Sequence, residues 1–350
     1  MRTGKTCVIV GAGMVARTHV LAAAASPDKI NLKGIVDGGS GRAARLAQEA
    51  SALMGREVIV YRSVEDVAAD PGVDFAIVVT PPNARASVVE PLARAGKHVL
   101  LEKPVARNTA EASALVAFCR SAGISLGIVF QHRMRAASLK AKELVAGGAL
   151  GALGVCEMSV PWWRAQAYYD EPGRGTRERD GGGVLISQAI HTIDLALSFA
   201  GPVARVQAMA ATTRFHRMET EDFVSAGLRF ENGAVGSLMA STASFPGSAE
   251  TIALHFDKAS LRLASGVLHV DWRDGCSEIF GGAASGTGGG VDPMAFTHEW
   301  HQGIIEDFVD ALVLEREPVV TGEAALLSHR LIDAIVKSAE GGKEVELRND

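Results

Sequence analysis

The stretch "VIVGAGMVARTHV" (residues 8–20) decides how the first third of the chain is read. Val8, Ile9 and Val10 form a short apolar run, and "VARTHVLAAAA" after it is helix-forming. Between them Gly11, Gly13 and Ala16 stand in a G-x-G-x-x-A pattern. Gly11 permits the tight turn from strand to helix. Gly13 lets the backbone approach a pyrophosphate, and Ala16 keeps the helix close to the sheet. The N–H groups of Met14, Val15 and Ala16 at the helix start, with the partial positive charge there, suit phosphate oxygens. Such a pattern is informative only between a strand and a helix, with an acid about 20 residues on. Asp37 closes the next apolar run, "LKGIV", and meets that condition. It is expected to accept hydrogen bonds from ribose hydroxyls and to repel a 2′-phosphate, which favours NAD. Arg42 close by can accommodate that phosphate, so NADP is the alternative.

The same alternation continues to about residue 125. "EVIVY", "FAIVVT", "HVLLE" and "SLGIVF" are strand-like; "GRAARLAQEASALM", "SVEDVAAD", "ARASVVEPLARAG" and "AEASALVAFCRSAG" are helical. Ser63 and Asp66 form a capping pattern at the start of the second of these helices. Apolar strands between helices predict a doubly wound parallel sheet of the Rossmann type, a domain over 1–125. Beyond about residue 150 the texture changes. "GVCEMSV", "VARVQAMAAT", "FVSAGLRF", "GAVGSLMAST", "TIALHF" and "LHVDW" are strand-like, and Asn232-Gly233 is a hairpin signal. The expectation for 126–350 is an α/β domain on a large, mainly antiparallel open sheet, with one apolar helix near 183–199. Helical segments near 298–315 and 323–340 follow and are expected to pack back on the first domain. "GGAASGTGGG" (281–290) neither follows a strand nor opens a helix, and is read as a surface loop.

Composition narrows the function classes. The chain has 350 residues, 47% hydrophobic and 21% charged, with net charge −5, so a large core is available and no basic stripe offers itself to nucleic acid or anionic membrane. No apolar run approaches the ~20 residues of a spanning helix. The start of the chain lacks signal-peptide features, and Cys7, Cys119, Cys156 and Cys276 are scattered without C-x-x-C spacing. These observations predict a cytoplasmic protein with reduced thiols and a small-molecule substrate. His, Cys and acidic residues show none of the usual metal-ligand spacings, so no metal is expected.

The second candidate site begins at "KHVLLEKPVA" (97–106). A lysine at the mouth of a buried strand is costly unless it has a partner or a task. In doubly wound sheets ligands lie beyond the carboxyl ends of the strands. "VTPPN" (79–83) and "LEKPV" (101–105) both sit at such ends, which places Thr80, Pro81, Asn83, Glu102 and Lys103 near the nicotinamide end of a cofactor. Pro104 keeps Lys103 out of helical geometry. Downstream, "GGGVLISQAIHTIDLALSFAG" (181–201) reads as one helix. Ile186, Ile190, Ile193 and Leu197 form an apolar stripe. Beside it Ser187, His191, Asp194 and Ser198 recur at helical spacing. Gln188 sits on the same helix, toward substrate. His132 and Arg133 of "FQHRM" are expected to line the cleft. In "PWWRAQAYYDEPGRGTRERDGGG" (161–183), Trp163 and Tyr168 are suited to stack on a ring, and Arg164 or Arg174 to pair with a carboxylate. The opposing reading is that Asp170, Glu171, Glu178 and Asp180 neutralise those arginines.

Taken in order, "GAGMVA", "TPPN", "EKP", "GGG…QAIHTID" and the closing "HEWHQGIIEDFVDALVLEREPVVTGEAALLSHRLIDAI" resemble the Gfo/Idh/MocA oxidoreductases over nearly the whole chain. The resemblance implies an N-terminal Rossmann domain and a C-terminal sheet that commonly mediates homodimers or homotetramers. It implies that Lys103 orients substrate and assists proton transfer, often with a cis bond before Pro104, and that His191 is the catalytic histidine. Polyol dehydrogenases of the family commonly carry an Asp four residues before that histidine, where this chain has Ser187. Serine cannot act as a carboxylate base, so an Asp–His relay of that kind is not expected. Asp194 is the candidate to orient the ring instead, although in the family that position is often structural. The 161–183 segment is similar to a branch that includes nucleotide-sugar uronate and dihydrodiol dehydrogenases.

The expected activity is NAD(P)-dependent oxidation of a secondary hydroxyl on a sugar, polyol or sugar acid. His191 is the first choice of base. Lys103 would stabilise charge on the same oxygen, or act as the base itself if neutral. Redox-neutral, NAD-assisted glycoside processing and a non-enzymatic dinucleotide sensor are the competing readings.

Overall fold

The computed structural model describes residues 4–39, 41–282 and 297–347. Most of the 281–290 loop therefore lies outside the described residues. The chain divides into two compact units, one of residues 4–106, 110–131 and 297–326, the other of 107–109, 132–282 and 327–347.

The first unit carries β1 (Lys5–Val10), α1 (Ala16–Ala24), β2 (Ile30–Val36), α2 (Arg42–Met54), β3 (Ile59–Val60), α3 (Val64–Ala69), β4 (Phe75–Val78), α4 (Arg85–Arg94), β5 (His98–Glu102), α5 (Thr109–Ser121) and β6 (Leu126–Val129). Its six strands are parallel in the order β3-β2-β1-β4-β5-β6. β4, and Val99 to Glu102 of β5, are fully buried, as strands covered on both faces must be. "EVIVY" gives only the two residues of β3, because Ile59 and Val60 are exposed at the sheet edge. Ser63 caps α3 by accepting from the Asp66 amide at 3.2 Å. The helix Glu299–Val313 belongs to this unit. Its Phe308 is buried 5.5 Å from the ring of Phe75, and the chain beyond it pairs Val320 and Thr321 with β6.

The second unit carries α6 (Ala136–Ala146), β7 (Leu153–Pro161), α7 (Gln166–Tyr169), α8 (Ile190–Ala200), β8 (Val203–Ala211), β9 (Phe223–Phe230), β10 (Val235–Ser241), β11 (Thr251–Phe256), β12 (Ala259–Ala264), β13 (Val267–Trp272), β14 (Ser277–Phe280) and β15 (Val345–Glu346). Together the strands make a nine-stranded sheet in the order β14-β13-β12-β11-β7-β10-β9-β8-β15. All pairs are antiparallel except β7 with β10. Asn232-Gly233 turns the β9–β10 hairpin, with Gly233 at φ +89°. Alternation is clear in β9, where Val224, Ala226, Leu228 and Phe230 point to the core and Ser225, Gly227 and Arg229 to solvent. β12, β14 and β15 go beyond the strands expected from the sequence.

Cys7, Cys119 and Cys156 are buried, and burial pushes each thiol up to about 12. No helix of the described residues is long and apolar enough to cross a membrane.

Candidate active site

The first unit gathers the cradle residues at the carboxyl ends of its strands. Gly11 sits at φ +105° beside Val79, a conformation that favours glycine. A Cβ on Gly13 would meet nothing within 4 Å, so the backbone there faces open space. No side chain caps α1, and its first turn holds no acid. An uncapped, acid-free helix start next to a bare backbone fits a dinucleotide pyrophosphate. Asp37 follows β2. Its carboxylate accepts from the Gly38 amide at 2.8 Å and lies 3.5 Å from Nε of Arg42.

Lys103 follows β5, and its backbone is held from both sides. Its amide donates to Glu102 Oε2 at 3.2 Å, and its carbonyl accepts from Arg85 Nη2 at 3.1 Å. Arg85 also donates through Nε to the carbonyl of Thr80 at 3.2 Å, tying the segment after β4 to the segment after β5. Burial pushes the Arg85 guanidinium down to about 9, which leaves it charged at neutral pH. The peptide between Lys103 and Pro104 is cis. Pro81 and Asn83 flank the start of α4 in a short 3-10 turn.

Glu102 was expected to face cofactor. Its side chain instead turns into the protein, where Oε1 lies 2.9 Å from Nε2 of His19 on α1 and 3.6 Å from Nε2 of His301. Burial opposes ionisation of this carboxyl, but the two imidazoles outweigh it and hold Glu102 well below the usual range. Burial in turn lowers His301, against the pull of Glu102. Ligand atoms of His19, Glu102 and His301 lie within 4.8 Å of one another, a cluster the sequence spacing does not reveal. The 2.9 Å contact is hydrogen-bond geometry, and the cluster acts as the anchor of the Lys103 amide.

In the second unit the segment 181–201, expected as one helix, is not one regular helix. Leu185–Ala189 forms a π turn, and α8 begins at Ile190. The extra residue in that turn breaks the spacing between Ser187 and His191 that a regular helix would give. π turns are often found at functional sites. Glu221 holds the start of this segment: its carboxylate accepts from the amides of Gly183 and Leu185 at 3.2 Å, and its carbonyl accepts from the Val184 amide at 2.8 Å. Gly183 is required there, because a Cβ would run into the carbonyl of Glu221.

His191 is buried, and its ring stacks on His132 with centroids 4.6 Å apart and planes 24° from parallel. His132 is held through Nε2, 2.6 Å from Nη2 of Arg135, and Arg135 donates through Nη1 to Glu250 at 2.7 Å. A small cavity borders this group, lined in part by Ser138, Thr192 and Glu250. Arg133, expected to line the cleft, forms a two-pronged pair with Asp194: Nε to Oδ2 and Nη2 to Oδ1, both 2.7 Å. Burial raises the Asp194 carboxyl, opposed by Arg133. Asp194 is thus held by Arg133, as the structural of the two readings of Asp194 has it.

The 161–183 segment is held by its own contacts. Arg174 lies 4.2 Å over the ring of Tyr168, donates to its hydroxyl at 2.9 Å, and pairs with Glu171. That is the neutralising reading for Arg174. Arg164 is buried between the rings of Trp162 and Tyr168. Its carbonyl lies 2.7 Å from Nε2 of His216, whose Nδ1 lies 2.7 Å from Asp222, both side chains buried. Gln188 donates to the Tyr168 hydroxyl at 3.2 Å. Trp163 packs with Phe215 and Phe245. Sequence reasoning missed Arg85, His19, His301, Arg135, Glu250, His216 and Glu221. His19, Glu250 and Glu221 find their partners 83, 115 and 36 to 38 residues away, so no local pattern marks them. Arg135 and His216 lie close in sequence to His132 and Asp222, but residue type alone does not mark those pairs.

Comparison with known proteins agrees with this architecture. A profile for the oxidoreductase family with an NAD-binding Rossmann fold matches residues 5–130, and one for the GFO/IDH/MocA C-terminal domain matches 138–262. The chain belongs to the Gfo/Idh/MocA oxidoreductases, enzymes that use NAD(P) on CH–OH groups. Levoglucosan dehydrogenase of Pseudarthrobacter phenanthrenivorans is 27% identical over 66% of this chain and 66% of its own. Trans-1,2-dihydrobenzene-1,2-diol dehydrogenase of Mus musculus is 32% identical over 53% of this chain and 54% of its own. Among solved structures, the WlbA dehydrogenase of Bordetella pertussis in complex with NADH and UDP-GlcNAcA is 28% identical and superimposes with a TM-score of 0.81, covering 99% of this chain and 100% of that one.

Proposed function

We propose that this enzyme is an NAD-dependent dehydrogenase that oxidises a secondary hydroxyl on a cyclic sugar, polyol or sugar acid. The observation that carries the reading is the two-sided backbone clamp on Lys103 by Glu102 and Arg85 at the carboxyl end of β5, in the unit that binds dinucleotide. A backbone clamp of this kind supports a lysine with a task in chemistry rather than one that only ends a strand. When bound, the nicotinamide supplies the hydride acceptor. His191 takes the hydroxyl proton, and Lys103 donates a hydrogen bond that stabilises the developing alkoxide. Asp37 supports NAD over NADP, because its carboxylate would face a 2′-phosphate.

The test is NADH and NADPH formation across free sugars, anhydrosugars, inositols, uronates, trans-dihydrodiols and nucleotide-sugar uronates. A substrate reduced in rate about 10²–10⁴-fold by Lys103→Met and by His191→Ala, with NAD affinity unchanged, is the expected result. Intact turnover in either variant removes that residue from the mechanism. Tight NAD binding with no reduced cofactor on any substrate would shift the reading to redox-neutral glycoside processing or to a sensor.

A further inference from the structure

The stacked histidines carry an inference that rests on His191 being the base. An arginine side chain has donors only. The 2.6 Å contact between Arg135 Nη2 and His132 Nε2 therefore makes Nε2 of His132 the acceptor. A proton on that nitrogen would set N–H against N–H and a second positive charge beside the guanidinium. His132 is accordingly neutral, with its proton on Nδ1. Arg135 has no freedom to swing away, because it is buried and bound to the buried carboxylate of Glu250 at 2.7 Å.

The stack gives this tautomer a consequence. Two imidazoles with centroids 4.6 Å apart cannot both be charged cheaply. A neutral ring, in contrast, offers its π face to an imidazolium. The other charged groups around the rings in this unit are already paired: Arg133 with Asp194, and Arg135 with Glu250. β7 and β11, packed against α8, turn Cys156, Met158, Ile252 and Leu254 to the core, and the Cys156 thiol is pushed up to about 12. α6 turns Ala137 and Ser138 inward. Among the described residues of this unit, His132 and His191 are the two imidazoles of the stack, and the carboxylates Asp194 and Glu250 are each paired with an arginine.

We propose that Arg135 and Glu250 form a proton-directing pair, in which Arg135 pins His132 as the neutral Nδ1–H tautomer so that the proton taken from substrate is held by His191 alone. Arg135, Glu250 and His132 are positioning residues in this role. Without the pair His132 is free to protonate as pH falls, and a cation then lies against the base.

The experiment compares kcat/KM at pH 8 and pH 6 for Arg135→Met/Glu250→Met, a double change that strands no buried charge. Activity is expected within about twofold of wild type at pH 8 and about tenfold below it at pH 6, the effect of a new charge at stacking distance. Adding His132→Phe should abolish the extra loss at pH 6. An equal loss at both pH values, or a loss at pH 6 that survives His132→Phe, overturns the proposal. Histidine ¹⁵N shifts of the wild-type protein give a second reading that needs no folded variant: His132 should keep an unprotonated Nε2 from pH 5 to pH 8, and a His132 that titrates in that range overturns it. Retained turnover in His191→Ala would instead remove the base assignment, while leaving the His132 shifts as they are.

Discussion

The two units hold their candidate site groups by different means. In the first, what is held is the backbone: Gly11 and Gly13 shape a turn, β5 ends at Glu102, and the side chains of Glu102 and Arg85 bind the amide and carbonyl of Lys103. In the second, side chains place side chains: Arg135 holds His132, which stacks on His191, while Asp194 is held by Arg133. A backbone device is local in sequence and tolerates change in what faces it. A side-chain network joins distant positions, and removing one member leaves another buried without its partner.

Matched glycine substitutions should separate the two designs. Gly183→Ala is expected to destabilise the protein by about 4 kcal/mol or more, because the new Cβ strikes the Glu221 backbone rather than a movable side chain. Gly13→Ala should leave the melting temperature within a degree or two, yet weaken NAD binding about tenfold, since its Cβ projects only into the cradle. Thermal melts with and without NAD read both effects. Equal melting temperatures for the two variants would break the contrast.

Buried and rim ion pairs sharpen the comparison further. Arg133→Leu removes the partner of a carboxylate only 1% exposed and should cost about 3 kcal/mol in denaturant melts. Asp70, by contrast, sits at the rim of the first unit, hydrogen-bonded by Lys33 and Tyr61, which draw its carboxyl down from 3.8 to about 2. A carboxyl depressed in the folded state stabilises above its unfolded value and loses that contribution as pH falls through the folded one. Asp70→Asn should therefore cost about 1 kcal/mol at pH 7, after allowance for solvent screening, and the gap to wild type should narrow between about pH 4 and pH 2. A gap that does not change with pH would show that the aspartate acts by shape rather than by charge.

The same contrast explains what the sequence could disclose. "GAGMVA", Asp37 and "EKP" are legible because a tight turn, a strand end and a proline impose backbone geometry on neighbouring residues. The Ser187–His191–Asp194 spacing marked a helix that the structure contains, but spacing alone carries no sign of the π turn at Leu185–Ala189. The orientation of Glu102 was not legible, since its partner His19 lies 83 residues away and His301 further still. Arg135 and Glu250 are 115 residues apart, and Arg133 and Asp194 are 61 apart. Such partners meet only when a sheet and its covering helices have formed, so no local pattern encodes them. β14 and β15 were missed because they are only four and two residues long; β12 is as long as β11 and β13, and its length does not explain the miss.

Residues 297–326 complete the first unit, although the residues of the second come between. On the ribosome this order matters. The sheet can form once β6 has emerged, but its edge is then bare, and Phe75 and Gly127 wait uncovered for Phe308. The main chain of Val320 and Thr321 closes that edge last. Nascent chains paused between residues 131 and 297 should thus be the ones that chaperones hold and that pair wrongly with one another, and release of the tail is the step that makes the unit safe.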